Sequence, residues 1–288
     1  MLAYFKRKPL EEDFLGINER NRDFVYHLNP KQHFALADDK VKCKEVLHKQ
    51  GIACAETYLV VEHIGDIGRA IAHIRQYEKL AIKPANGSGG GGILILRRNE
   101  SGEWESGGQL ISDEKLYHHM AEILMGMYAL GSTDRVLIEE CILPHPFFQE
   151  IYDEGVPDFR VILLHDQPIM SMLRVPTDQS DGKANLHQGG LGIGIDMEVG
   201  RLKEAFDGQG YHTCHPDNGR TICGKEIPMW QDLLALAVQT SKAFPLNYLG
   251  VDIVIDAELG PLIMEINVRP GLGIQLANKQ GLRNFLNL

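Results

Sequence analysis

The chain has 288 residues, 44% hydrophobic and 24% charged, which fits one large globular domain or two modest ones. Its formal net charge of −10 disfavours nucleic acid as a partner, because a phosphate backbone selects a basic surface; a nucleotide needs only a local basic site. No apolar run reaches the roughly 18–20 residues that span a bilayer, and the N-terminal MLAYFKRKPLEED has no apolar export core, so neither membrane insertion nor export is expected.

Residues 1–37 are mixed, with a polar NERNRD stretch read as a loop or short exposed helix and a turn at Asn29-Pro30. Asp38 or Asp39 caps a helix over residues 40–50 that Gly51 stops. A strand follows at 57–61 and an amphipathic helix at 66–78. Residues 80–96 read as strand, glycine loop, strand, with five glycines among residues 87–92. Such a loop turns its N–H groups to one point, as phosphate oxygens require, and Lys83 reaches the same place. Because a strand and not a helix follows, this is a hairpin flap or a plain flexible turn, and not the GxxxxGK[ST] loop.

Residues 99–108 read as a polar turn, and 113–130 as a helix capped by Ser112. The strand at 136–142 ends in Glu139 and Glu140, acids that need a partner if buried; an adenine amino group and a solvated edge both remain open. Strands at 158–164 and 168–175, with a turn near Asp166 and Gln167, bring Arg160 close to Arg174. Two neighbouring arginines either hold an anion between them or lie exposed on the sheet. Asn185 and His187 share a face in the polar, glycine-rich stretch 185–194. His212, Cys214, His215 and Cys223 match no common zinc spacing and read as a loop. The five scattered cysteines read as reduced thiols, which suits a cytoplasmic protein.

An amphipathic helix at 228–244 precedes two strands over 250–271, and a polar helix is expected at 275–287. If the hairpin turns between Glu258 and Leu259, Asp252 stands opposite Glu265, and Asn267 shares that face. Two carboxylates and an amide oxygen suit a hard cation such as Mg2+; an ordinary hairpin with a polar wet face is the other reading.

The order of the pieces is more specific than any one of them. A lysine strand and glycine flap come first, then IEE, DFR, MLR, NLHQGG, GVDI and MEIN-x-x-PGL. Over residues 36 to 275 this resembles the ATP-grasp superfamily of carboxylate–amine ligases, and within it the RimK-type and α-L-glutamate ligase-like proteins. The resemblance implies an α+β ATP-grasp fold, two α+β subdomains clasping ATP between antiparallel sheets. It places the smaller at about 36–137 with the flap and the larger at about 138–288 with the magnesium site. Residues 1–35 stand as a short remnant of the fuller domain that usually precedes, so self-association or a partner protein would complete that side.

The resemblance also implies residue roles. Lys40 and Lys83 hold nucleotide phosphates under the flap of Gly87, Ser88, Gly89 and Gly90. Glu139, Glu140 and the backbone of Cys141 and Ile142 border adenine. Asp252, Glu265 and Asn267 bind Mg2+, with Mn2+ as a substitute. Arg160, Arg174, Asn185 and His187 lie near the γ-phosphate and the acceptor. Arg269 departs from the pattern, which has a small residue there, and offers a charge to a further anionic group. The implied reaction joins an amino acid such as glutamate to a peptide, protein or small molecule through an acyl phosphate. Phosphorylation of a small molecule on the same scaffold, and a partner-dependent nucleotide-binding role, are the rivals.

Overall fold

The computed structural model describes residues 13–87, 89–129, 132–180 and 182–285. Helix α1 (Lys40–Lys49) starts where expected, because the Asp39 carboxylate accepts the N–H groups of Val41 and Lys42 at 3.0 and 3.2 Å. Six strands form the first antiparallel sheet: β1 (Thr57–Val61), β2 (Lys79–Pro84), β3 (Leu94–Arg98), β4 (Trp104–Ser106), β5 (Gln109–Leu110) and β6 (Val136–Glu139), in the order β1-β6-β2-β3-β4-β5. Helices α2 (Ile67–Ile74) and α3 (Asp113–Leu124) cover one face, where Ile71, Ile74, Leu116 and Met120 bury Leu80, Ile82, Leu96 and Ile138. Alternation then sends Ala81, Lys83 and Glu139 to the opposite face.

The second sheet comprises β7 (Asp158–Leu164), β8 (Gln167–Val175), β9 (Leu191–Asp196), β10 (Arg201–Phe206), β11 (Tyr211–His212), β12 (Tyr248–Asp256) and β13 (Gly260–Asn267). Its order is β11-β10-β9-β8-β7-β12-β13, antiparallel throughout. Helix α4 (Trp230–Ala243) packs against β7, β8, β12 and β13, and the short α5 (Gly273–Asn278) against β8, β9 and β10. The larger core also takes in Leu15, Phe24, Val25, Phe34 and Ala37, with Cys43 and Leu47 of α1. Asn29 reinforces this, accepting the N–H groups of Asn247 and Tyr248 and donating to the Tyr248 carbonyl at 2.6 Å.

Several elements depart from the sequence pattern. NERNRD is helical but not simply exposed, since Arg20 is buried. The helix read over 66–78 ends at Ile74, and the one read over 113–130 at Leu124. Stretch 99–108 contains β4, and the strand read over 136–142 stops at Glu139. The helix read from 228 starts at Trp230, after Met229 in the left-handed region. The expected C-terminal helix is α5 plus a single 3-10 turn at Leu282–Phe285. Stretch 185–194, read only as polar and glycine-rich, runs into β9, which begins at Leu191. Its glycines disguise the strand, yet they permit α5 to approach: a Cβ on Gly194 would lie 2.4 Å from the Ala277 carbonyl oxygen.

Candidate active site

The β12–β13 hairpin sets the geometry. Asp256 pairs with Gly260 around Ala257–Leu259, and the Asp256 carboxylate ties the turn by accepting from Glu258 and Leu259 N–H at 2.9 and 3.1 Å. The turn is thus centred on Glu258, half a residue from the expected point. Carried on unchanged, that register would put Met264 opposite Asp252. A bulge between the pairs Ile253–Ile263 and Asp252–Glu265 takes up the extra residue, and Glu265 faces Asp252 as expected.

Asp252 also pairs with Arg160 of β7, so Glu265, Asp252 and Arg160 form a row on one sheet face. Arg160 grips the Asp252 carboxylate with two bonds of 2.8 and 2.6 Å, Arg174 adds one of 2.7 Å, and Asn267 donates at 3.1 Å. Arg174 also binds Asp158 at 2.6 Å. Both turn residues between β7 and β8, His165 and Asp166, have positive φ, and Arg160 faces Met172 while Arg174 faces Asp158. The arginines are therefore diagonal neighbours, and the anion between them is Asp252. Burial pushes the Asp252 carboxyl up, but the two guanidiniums outweigh it and hold it at about 2. Burial wins at Asp158, which is pushed up to about 7.

Among the described residues no three His, Cys, Asp or Glu side chains form a ready metal cluster. The candidate set is two carboxylates, directly paired, plus the Asn267 amide beside Asp252. All are hard oxygen donors, and Glu265 is the open member, 37% exposed in its side chain. The residues present fit a hard divalent cation, with Asp252 shared between it and the arginines. The cysteine–histidine cluster belongs elsewhere: buried His215 stacks on Tyr152 at 4.4 Å, donates to the Pro176 carbonyl at 3.0 Å and accepts Asp217 N–H at 3.3 Å.

On the facing sheet, Glu139 is 3% exposed and is paired with two lysines. Lys44 lies 2.6 Å from one oxygen and Lys83 is paired with the other. Burial raises the Glu139 pKa, yet Lys83 and Lys44 outweigh it and leave it lowered. Lys44 went unrecognised in the sequence, although it lies one helical turn after Lys40 on α1. Lys40 reaches the same corner because its N–H donates to the Ala85 carbonyl, which abuts α1 on the end of β2. Its ammonium donates to the Gly87 carbonyl at 2.6 Å and lies 3.9 Å from Glu265, so it joins the glycine loop to the β12–β13 hairpin. Glu140 turns away, its carboxylate accepting Glu56 N–H at 3.2 Å; Cys141 and Ile142 follow, half-buried.

Gly89 and Gly90 have φ of 63° and 75°, and a Cβ on Gly89 would stand 3.0 Å from Gln188 Nε2 and 3.6 Å from Asn185 Nδ2. The flap tip thus rests on the loop that carries Asn185 and His187. Ser88 lies outside the described residues. Asn185 accepts the His187 N–H at 3.0 Å, and His187 is exposed. Arg269 lies apart from the Asp252 cluster, its guanidinium 4.9 Å above the Phe34 ring and 3.5 Å from Asp38.

A sequence model of the family described as sugar-transfer associated ATP-grasp matches residues 19–288. A probable alpha-L-glutamate ligase of Marinomonas sp. (strain MWYL1) is 23% identical over 263 residues, covering 91% of this chain and 66% of its own length. Another, from Shewanella loihica (strain ATCC BAA-1088 / PV-4), is 24% identical over 269 residues with the same coverage. The chain therefore spans just under two thirds of the curated relatives it matches. Among solved structures, the ATP-grasp ligase PsnB complexed with a phosphomimetic variant of minimal precursor, Mg and ADP is similar in fold. Its TM-score is 0.50 at 13% identity, covering 90% of this chain and 60% of that one.

Proposed function

The chain belongs to the sugar-transfer associated ATP-grasp family, and on that premise we propose that it is an ATP- and Mg2+-dependent carboxylate–amine ligase. The observation that carries this reading is the bulged register that sets Glu265 opposite Asp252, with Asn267 beside them and Lys40 3.9 Å from Glu265. In this reading the nucleotide lies between the two sheets. Lys40 and Lys83 meet its phosphates, the glycine flap covers them, and the segment from Glu139 to Ile142 borders the base. Asp252, Glu265 and Asn267 hold the cation, which when bound neutralises phosphate charge.

A substrate carboxylate attacks the γ-phosphorus, ADP departs, and an amine attacks the acyl phosphate, expelling phosphate to leave an amide. The protein contributes placement and charge more than covalent chemistry. Arg160 and Arg174 fix the Asp252 carboxylate in its ionised form. The flap, seated on the loop at Asn185, keeps water from the acyl phosphate. Exposed His187 is the candidate to take the amine proton. The names of the relatives make glutamate the first acid or amine to try, and the PsnB precursor makes a peptide the second. A cytoplasmic setting belongs to the same reading.

The test is ADP and phosphate release with MgATP across amino acids, peptides and hydroxylamine, with products read by mass spectrometry. Carboxylate-dependent ADP release with a hydroxamate or amide mass gain is expected. A phosphorylated product without an amide would replace the ligase by a kinase, and nucleotide binding without turnover by a partner-dependent protein.

A further inference from the structure

Arg20 is a buried cation with neutral partners. It is 7% exposed; Nε and one terminal nitrogen reach Asn21 Oδ1 at 3.1 and 2.7 Å, and the other donates to the Pro270 carbonyl at 2.7 Å. Among the described residues no carboxylate is paired with it, and burial lowers its pKa, as does the charge of Arg269. A buried charge without a counter-ion is costly and calls for an anion. A second group at this place is also unsatisfied. The Tyr248 hydroxyl is buried with no hydrogen-bond partner, and the charges acting on it are Arg20 and Arg160.

Arg269 stands one residue before the carbonyl that Arg20 holds, 40% exposed in its side chain, and among the described residues the carboxylate paired with it is Asp38 at 3.5 Å. Two guanidiniums against one carboxylate leave this corner net positive. The corner adjoins the Asp252 centre through the loop between them: Gly271 is close enough to Arg160 that a Cβ there would lie 3.8 Å from its Nη1. The face of Arg269 is spent on Phe34, and its N–H groups lie along the edge, where a planar fork of two oxygens binds.

We propose that Arg269, backed by the buried charge of Arg20, recognises a second oxyanion of the substrate, a carboxylate or a phosphate monoester remote from the group activated beside Asp252. This names the substrate class as a molecule with two separate oxyanion groups, and it rests on the ligase reading for the neighbouring chemistry.

The test is calorimetric titration of the full chain, without nucleotide, using butyrate, glutarate and 3-phosphoglycerate as probes. At least one of glutarate and 3-phosphoglycerate binds about tenfold or more tightly than butyrate, and which one does so separates a carboxylate from a phosphate source. Arg269→Gln brings that ratio to near one, and Arg269→Lys restores part of it. Arg22→Gln, at an exposed arginine paired with Asp23 on the same segment, leaves the ratio unchanged. Equal binding by all three probes, no binding by any, or a preference that survives in Arg269→Gln overturns the proposal. Because no turnover is read, the two readings fail separately: an Arg269-dependent preference without ADP release sinks the ligase alone, and ligation without the preference sinks this inference alone.

Discussion

Replacing Lys44 by methionine tests whether the buried Lys44–Glu139–Lys83 triad sets the charge offered to a nucleotide. The side chains of Lys44 and Glu139 are 7% and 4% exposed and 2.6 Å apart, so their pairing is shielded from solvent. The intact triad carries one net positive charge; without Lys44, Lys83 and Glu139 cancel. At an effective dielectric of about 20 and roughly 7 Å, one unit charge acting on a phosphate is worth about 2.4 kcal/mol. Allowing for screening, Lys44→Met should weaken MgADP binding by about 10- to 50-fold. Adding Glu139→Gln returns the corner to one net positive charge, so the double variant should bind more tightly than the single one. Isothermal titration with MgADP reads both, and thermal unfolding confirms that each variant is folded. Wild-type affinity in Lys44→Met, or a double variant no better than the single one, would refute the reasoning.

Other perturbations separate structure from chemistry. Glu265→Gln should cut Mg-dependent ADP release by at least about tenfold with little change in melting temperature, because Glu265 is the open carboxylate of the set. Asp252→Asn should also lower stability, by about 3–5 kcal/mol, because it leaves Arg160 and Arg174 without their shared counter-ion; equal melting temperatures for the two variants would contradict this. Gly194→Ala should cost about 1–3 kcal/mol in a urea titration, since its Cβ would collide with the Ala277 carbonyl, and an unchanged midpoint would show that α5 yields freely. At Asp207, burial raises the pKa but the N–H groups of Gly210 and Gln209 and the His212 ring outweigh it, leaving about 2 against an ordinary 3.8. A depressed carboxyl stabilises the fold above its unfolded pKa and loses that contribution as pH falls through the folded one. The stability difference between wild type and Asp207→Asn should therefore shrink as pH falls from about 5 towards 2; a difference unchanged over that range would remove the ion from the account.

What the sequence reveals depends on how far apart the interacting partners are. Period two put Asp252, Glu265 and Asn267 on one face, and the pairing of Asp252 with Glu265 was legible even though the bulge at Met264 was not. The cap at Asp39 was equally legible, because it involves residues two and three positions away. β9 was hidden because its glycines carry turn chemistry in one dimension and make room for α5 only in three. The electrostatic partners were the least accessible. Glu139 stayed open between a ligand contact and a solvated edge because Lys44 is 95 positions away, and Arg160 and Arg174 stayed open between holding an anion and lying exposed because the carboxylate between them comes from β12.

These ion pairs change the meaning of the remaining charges. A lysine or arginine read from sequence counts as one positive charge available to a ligand; in the folded chain, Arg160 and Arg174 spend most of theirs on Asp252 and Asp158. Lys83 is half-spent on Glu139, and Lys40 is only loosely opposed, 3.9 Å from Glu265. A further buried charge lies in the polar N-terminal stretch that had no assigned role, at Arg20, where the hydrogen-bond acceptors among the described residues are neutral. Since Arg20 holds the carbonyl of Pro270, three residues after Asn267, that segment helps to fix the loop leaving the cation hairpin as well as adding charge beside it. Loss of the Arg20 side chain would therefore disturb both, whereas loss of the Arg269 side chain removes the exposed charge and leaves the carbonyl held. Arg269 is for that reason the residue on which the substrate's second anion is best tested.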